Sequence, residues 1–336
     1  MSGPPPPLRK KGPKNLPTLP LSAFSPPNSG VSENFPLPPS PSTVHPDRVV
    51  DASVRAIPTW KKECTGAIEG RVKEVVVVAP EGGVDGALAQ AKEAGVDVLA
   101  IQIPFKLEDG ALPELPSADV QITLSTAYTA PSDAAVQSLQ AAVKAGNVVD
   151  IHIESGDGGA LDDLWEGLED LLTKATEAAT IGEGAIVLEN ILPPPHDLEL
   201  PIVKLLTHPS YQSYQSHVAA LSLIPNTYAK FLPPDWNAPT PHTPAPGQAL
   251  SPESPEDKQK KEWKRRIKMY LGPAVEAFGF ERIIFGSAPS PTSRATSSAG
   301  DWYEIARESF AELGVDQETV DAIFGNNAKR VYGKRS

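Results

Sequence analysis

Hydrophobic positions along the chain fall into short β-rich runs separated by stretches of helical periodicity. From Val49 onward the runs are Val49–Val54, Lys73–Ala79, Val96–Ile103, Val120–Thr126, Val148–Glu154, Ala185–Asn190, Asn226–Phe231 and Arg282–Ser287. Gly86–Ala94 and Asp133–Ala145 read as helices that stop at Gly95 and Gly146, since a helix C-terminus often ends on a left-handed glycine. Leu161–Ala179 puts Leu161, Leu164, Trp165, Leu168, Leu171 and Leu172 on one face and its acids largely on the other. Further helices are expected from about Glu256 to Phe278, from Asp301 to Leu313, and over Glu318–Phe324 behind an Asp316 cap. Repeated β-then-α units predict a parallel sheet covered by helices. About eight of them over roughly 285 residues match a (β/α)8 TIM barrel. An open doubly wound sheet is the alternative, but Glu81-Gly82-Gly83 and Gly156-Asp157-Gly158-Gly159 lack the G-x-G-x-x-G spacing of its phosphate turn.

Two proline-rich stretches interrupt this rhythm. Residues 1–46 carry Pro4-Pro5-Pro6-Pro7, Pro26-Pro27, Pro36 and Pro38-Pro39, and read as a disordered or polyproline N-terminal arm ahead of a barrel spanning 47–335. Its basic cluster Arg9-Lys10-Lys11 with Lys14 reads as a solvated tail, with a nuclear-import or anionic-surface role as the alternative. Pro36-x-Pro38-Pro39 and Pro39-x-Pro41 suit an SH3-type partner. The second stretch, about 233–255, is expected to be a poorly ordered insertion after the seventh strand, on the face where barrels build their sites.

Charge and composition narrow the partners. A net charge of -12 argues against a general nucleic-acid binder. One cysteine, Cys64, excludes an intrachain disulfide framework and suits a reducing compartment. No apolar run reaches about 18 residues, so no membrane span is expected. The N-terminus shows no apolar signal region, so a cytoplasmic location is expected.

Three stretches carry a resemblance. Arg282-Ile283-Ile284-Phe285-Gly286-Ser287-Ala288-Pro289 is similar to the last barrel strand of the amidohydrolase-related family, usually Arg-Ile-Ile-(Phe/Trp)-Gly-Ser-Asp-x-Pro. Gly325-Asn326-Asn327-Ala328-Lys329-Arg330-Val331-Tyr332-Gly333 resembles that family's terminal Gly-Asn-x-Ala-x-Arg-x-(Tyr/Phe)-Gly box. Leu223–Phe231 resembles its Pro-Asn-Val-Tyr-x-Lys strand. The resemblance implies a TIM barrel that hydrolyses amide, ester or lactone bonds of small molecules, or decarboxylates them, with a divalent cation lowering the pKa of bound water. The ligand positions it implies are altered here. Ser53 and Arg55 stand for the two histidines of strand one, Glu189-Asn190 for a carboxylate–imidazole pair, and Ala288 for the strand-eight aspartate. Arginine is a permanent cation and alanine offers no donor. No metal and no other cofactor is therefore expected.

One polar constellation remains. With period two, Asp150, His152 and Glu154 share one face of strand five, opposite Val149, Ile151 and Ile153. His152 between acids is either a general base or a structural histidine satisfied by them. Candidate catalytic residues are His152, Glu154 and Glu189. Candidate ligand-binding residues are Arg55, Ser53, Asn190 and Asp150, with Arg55 suited to an anionic small molecule. If Arg55 and Glu189 also point inward, they would form a buried ion pair in the place of the former metal site. His196, His208, His217 and His242 lack ligand spacing. Three functions compete: a degenerate, small-molecule-binding barrel (a pseudoenzyme), a metal-independent hydrolase built on His152, and an interaction scaffold acting through the proline-rich arm.

Overall fold

Eight strands run in one parallel sheet in chain order, which is the barrel the alternation predicts. The computed structural model describes residues 43–80, 83–154, 161–177, 184–195, 197–244, 251, 254–291 and 293–334. The elements are β1 (Val49–Val54), α1 (Ile57–Glu63), β2 (Val72–Val78), α2 (Gly83–Ala94), β3 (Asp97–Pro104), β4 (Gln121–Tyr128), α3 (Asp133–Lys144) and β5 (Val148–Ile153). Then come α4 (Leu161–Thr176), β6 (Ala185–Leu192), α5 (Ile202–Leu205), α6 (Pro209–Ser222), β7 (Thr227–Phe231), α7 (Pro255–Phe278), β8 (Ile283–Phe285), α8 (Ala299–Ala311), α9 (Gln317–Asp321) and α10 (Asn327–Tyr332). Gly95 and Gly146 take positive φ, 68° and 79°, as the helix ends require.

Strand parity divides the apolar residues into two clusters. Val149, Ile151 and Ile153 of β5, with Ile186 and Leu188 of β6 and Ala229 and Phe231 of β7, face the helical shell. Val50, Ala52, Val76, Ala100, Val148, Ala185, Val187 and Ile284 face inward, and Ala328, Val331 and Tyr332 of α10 join them. The last helix therefore plugs the barrel at the N-terminal ends of the strands. Asn327 fixes it there by donating its amide to the carbonyls of Phe280 and Ile283, both at 2.8 Å.

The seam between β8 and β1 is closed differently from the others. β8 has three residues and bonds in register to β7. Beyond it, the Ala288 N–H donates to the Ser53 carbonyl at 3.1 Å. Asp51 accepts from the Ser287 N–H at 2.8 Å, the Ser287 hydroxyl and the Trp60 indole N–H at 2.8 Å. A register shift between Asp51 and Val54 marks a β-bulge, so strict alternation does not carry through β1.

Two expectations of disorder are revised where residues are described. Residues 43–46 are docked: Val44 is buried, and its carbonyl accepts from Arg307 at 2.7 Å. The His45 carbonyl accepts from Gln317 at 2.7 Å. In the stretch after β7, residues 233–244 are held by Trp236, which stacks on Trp263 at 4.9 Å and donates to the Pro194 carbonyl at 3.0 Å. An aromatic anchor with a satisfied N–H outweighs the local proline content. The remaining parts of both stretches lie outside the described residues.

Candidate functional site in the barrel interior

A lysine organises the barrel interior. Tyr228 and Lys230 alternate with Ala229 and Phe231 along β7, so the lysine stem points inward and is completely buried. Its ammonium touches the Asp150 carboxylate of β5 and lies 2.7 Å from Glu189 Oε1 of β6. The Tyr332 hydroxyl donates to Asp150 from below, 2.9 Å from each oxygen, and Gln102 of β3 donates its amide to the same carboxylate. The Tyr332 ring lies 5.5 Å from the ammonium. Polar atoms converge on this layer because each buried charge must find partners.

The charge states are set by this packing. Burial pushes the Asp150 carboxyl up, to about 6, although Lys230 opposes the shift. Burial also acts to raise Glu189, but the Lys230 charge, with lesser contributions from His152 and Arg55, outweighs it and holds the group below its ordinary value. Lys230 is held above its ordinary value because the two carboxylates outweigh desolvation. The layer thus holds one cation between two anions.

Above it sits His152, paired in register with Glu189. Its parity is the expected one: Asp150 and His152 face inward and the apolar face packs on helices. Burial lowers the His152 pKa, with Glu189 and Glu154 acting to raise it and Arg55 and Lys230 to lower it, so the ring is neutral at pH 7. Its Nδ1 is buried and has no hydrogen-bond partner among the described residues. Glu154 is exposed at the end of β5. Arg55, at the end of β1, donates to the Pro289 carbonyl, and the Glu189 charge acts to raise its pKa against the lowering by burial. The expected Arg55–Glu189 ion pair does not form. Lys230 is nearer, takes Glu189 directly, and leaves Arg55 without a carboxylate in contact among the described residues.

The other candidates are turned to backbone. Ser53 donates its hydroxyl to the Ala288 carbonyl at 3.1 Å. Asn190 adopts φ 65°, a left-handed conformation that asparagine tolerates, and donates its amide to the Ile153 carbonyl at 3.0 Å. Asp150 is satisfied from within the barrel. Among the described residues, no three His, Cys, Asp or Glu side chains are grouped to hold a metal ion. His208 caps α6, His217 bonds to Glu169 at 2.6 Å, and His242 lies 3.1 Å from Asp301; His196 is outside the described residues. A cleft of about 330 Å³ at the start of α8 is lined by His45, His242, Thr243, Asp301 and Glu304, and by none of the interior residues. We place the candidate site in the barrel because the perturbed groups converge there.

Sequence reasoning does not single out Lys230 and Tyr332, although both stand inside the boxes that carry the family resemblance. The available signal is the lysine itself, at an inward position of an otherwise apolar strand, which demands anionic partners.

Comparison with known proteins agrees with this architecture. The amidohydrolase family model matches residues 198–334. An amidohydrolase from Burkholderia multivorans, solved with bound zinc, is similar at 13% identity and TM-score 0.54, covering 85% of this chain and 99% of its own. An amidohydrolase 2 from Bifidobacterium longum subsp. infantis is similar at 12% identity and TM-score 0.47, covering 85% and 98%. Curated proteins give no match. The chain is a TIM barrel whose residues 198–334 match the amidohydrolase family model. No helix among the described residues is long and apolar enough to cross a membrane.

Proposed function

We propose that this chain is a small-molecule-binding barrel that has given up metal-activated hydrolysis. The observation that carries this reading is the commitment of the donors. Lys230 occupies Asp150 and Glu189, Asn190 and Ser53 donate to backbone carbonyls, and Arg55 places a permanent cation at the mouth. A catalytic zinc needs about three protein ligands with an open position. The similar Burkholderia protein binds zinc; the residues of this chain do not fit that ion. Family resemblance sets the ligand class: a small amide, ester, lactone or related acid.

Arg55 defines the charge of the ligand. Among the described residues its guanidinium meets a neutral carbonyl and no anion, so a carboxylate gains a charge-assisted hydrogen bond by binding there. His152 supports a second reading, hydrolysis without a metal. A neutral imidazole with an orphaned buried nitrogen is equipped to take a proton from water, with Glu154 and Glu189 stabilising the imidazolium. A cytoplasmic location and an SH3-type partner for the N-terminal arm belong to the same proposal. Residues 1–42 of the arm lie outside the described residues.

Thermal-shift and calorimetric titration with small carboxylates and lactones test the reading. Binding by the wild type that is lost in Arg55→Met supports the anion site. Elemental analysis of the purified chain is expected to find no stoichiometric metal. One firmly held zinc per chain overturns the proposal. Turnover of a lactone in chelator, abolished by His152→Ala, selects the hydrolase reading.

A further inference from the structure

The three buried charges of the interior have an arrangement that ion pairing alone does not require. An amine, a carboxyl and a second carboxyl lie in direct contact, with side-chain exposures of 0%, 1% and 5% for Lys230, Asp150 and Glu189. Two more donors, the Tyr332 hydroxyl and the Gln102 amide, point at the Asp150 carboxyl. From this geometry we propose that Lys230 and Asp150 condense to an intramolecular amide, an isopeptide cross-link joining β7 to β5, with Glu189 as the acid–base group.

Each participant has a defined role. Glu189 accepts a proton from the Lys230 ammonium, 2.7 Å away, and frees the nitrogen lone pair. The lone pair forms the new C–N bond at Asp150 Cγ. Tyr332 and Gln102 donate to the oxygen on which charge develops, as preorganised donors do in acyl transfer. Glu189 delivers its proton to the other carboxyl oxygen, accepts a second from nitrogen and delivers that one to the same oxygen, which leaves as water when the C–O bond breaks. An ammonium and a carboxylate become an amide and one water. Nothing is oxidised or reduced, and Glu189 ends as it began.

Burial makes the step favourable. In water, both ions are strongly hydrated and condensation is opposed. Inside the barrel that hydration is already lost, so moving a proton to give neutral amine and acid costs far less. The Asp150 carboxyl, pushed up to about 6 by burial, is already closer to its acid form than an exposed aspartate. Fixed contact supplies the rest, since well-oriented groups react with effective molarities of about 10⁵–10⁸ M. Two negative charges and one positive before the step become one negative charge after it. The amide product keeps an N–H towards Glu189 and an oxygen for Tyr332 and Gln102, so no buried polar group is orphaned.

The cross-link does not depend on any ligand of the barrel, so its test is separate from that of the proposed function. The intact mass of the full-length protein, purified folded and then denatured, is expected to fall short of the sequence mass by one water. Proteolysis and tandem mass spectrometry are expected to find the peptide holding Asp150 joined to the one holding Lys230. Glu189→Gln and Lys230→Arg are expected to return the full sequence mass. Wild-type protein at its full sequence mass overturns the proposal even if neither variant folds. So does a water loss that persists in Lys230→Arg, which assigns it to another residue.

Discussion

Tyr332, in the last helix, donates its hydroxyl to both oxygens of Asp150, each at 2.9 Å, from 182 residues further along the chain. The contact ties the C-terminal plug to the charged layer of the barrel. Tyr332 and Asp150 are both fully buried, so no water replaces the bond if it is removed. Tyr332→Phe is therefore expected to destabilise the fold by about 1–3 kcal/mol, the range for leaving a buried acceptor without its donor. Urea denaturation checks this. A change below a few tenths of a kcal/mol means the hydroxyl does not hold the plug.

Lys230→Met leaves Asp150 and Glu189 with neither a cation nor a cross-link between them. Two buried carboxylates then face each other without a counter-charge, and breaking a buried pair from one side costs about 3–5 kcal/mol. Combining it with Asp150→Asn and Glu189→Gln removes the uncompensated charges as well. The triple variant is expected to be more stable than Lys230→Met alone, which a thermal melt of the two proteins decides. A triple variant less stable than the single one sinks this account of the layer.

Much of this layer is legible in the sequence, and the illegible part has a physical cause. Period-two alternation in Val148–Glu154 places Asp150 and His152 on the inner face, because a buried strand leaves its polar residues one side only. The helix ends at Gly95 and Gly146 are legible for a similarly local reason. Arg55 and Glu189 are the pair the sequence suggests, and Lys230 displaces it. The partners of a buried charge depend on which strands become neighbours across a closed barrel, and no local pattern encodes that. Tyr332 is hidden for the same reason. Trp236 shows a different limit: proline-rich composition predicts disorder, yet one aromatic side chain with a waiting carbonyl orders the described part of the loop.

His152 provides a pH readout. Its folded pKa lies below the ordinary histidine value because burial disfavours the imidazolium. The unfolded chain therefore takes up a proton first as pH falls. The contribution of this group to stability is complete above about pH 6.5 and is lost as pH falls through that value towards the lower folded one. NMR titration of the ring is expected to give a midpoint below that of a histidine in a peptide. Glu189→Gln is expected to lower it further and Arg55→Met to raise it, in keeping with the signs of their charges. A midpoint that ignores both substitutions means those residues do not share a site with His152.

The seam between β1 and β8 provides the last prediction. β8 contributes three residues, and the segment after it is fastened to β1 through Asp51, which accepts from the Ser287 N–H, the Ser287 hydroxyl, the Trp60 indole and, at 3.2 Å, the Ser53 N–H. Burial raises the Asp51 pKa, and the hydrogen bonds from Ser287, Trp60 and Ser53 work against that rise. Asp51→Ala leaves those donors buried without an acceptor, at about 1–3 kcal/mol for each that finds no substitute. Asp51→Asn keeps one oxygen acceptor but turns an amide towards the remaining donors, so it is expected to lose nearly as much. Ser287→Ala removes one hydroxyl and spares the backbone bond, and is expected to cost about 1 kcal/mol. The ordering, with both Asp51 variants well below Ser287→Ala in melting temperature, separates a structural clamp from a surface aspartate. Hydrogen exchange localises the effect: faster exchange at Ser287 and Ala288 in Asp51→Ala, with β4 and β5 unchanged, places the weakness at the seam. Uniform loss of protection around the barrel means that Asp51 supports the whole fold instead.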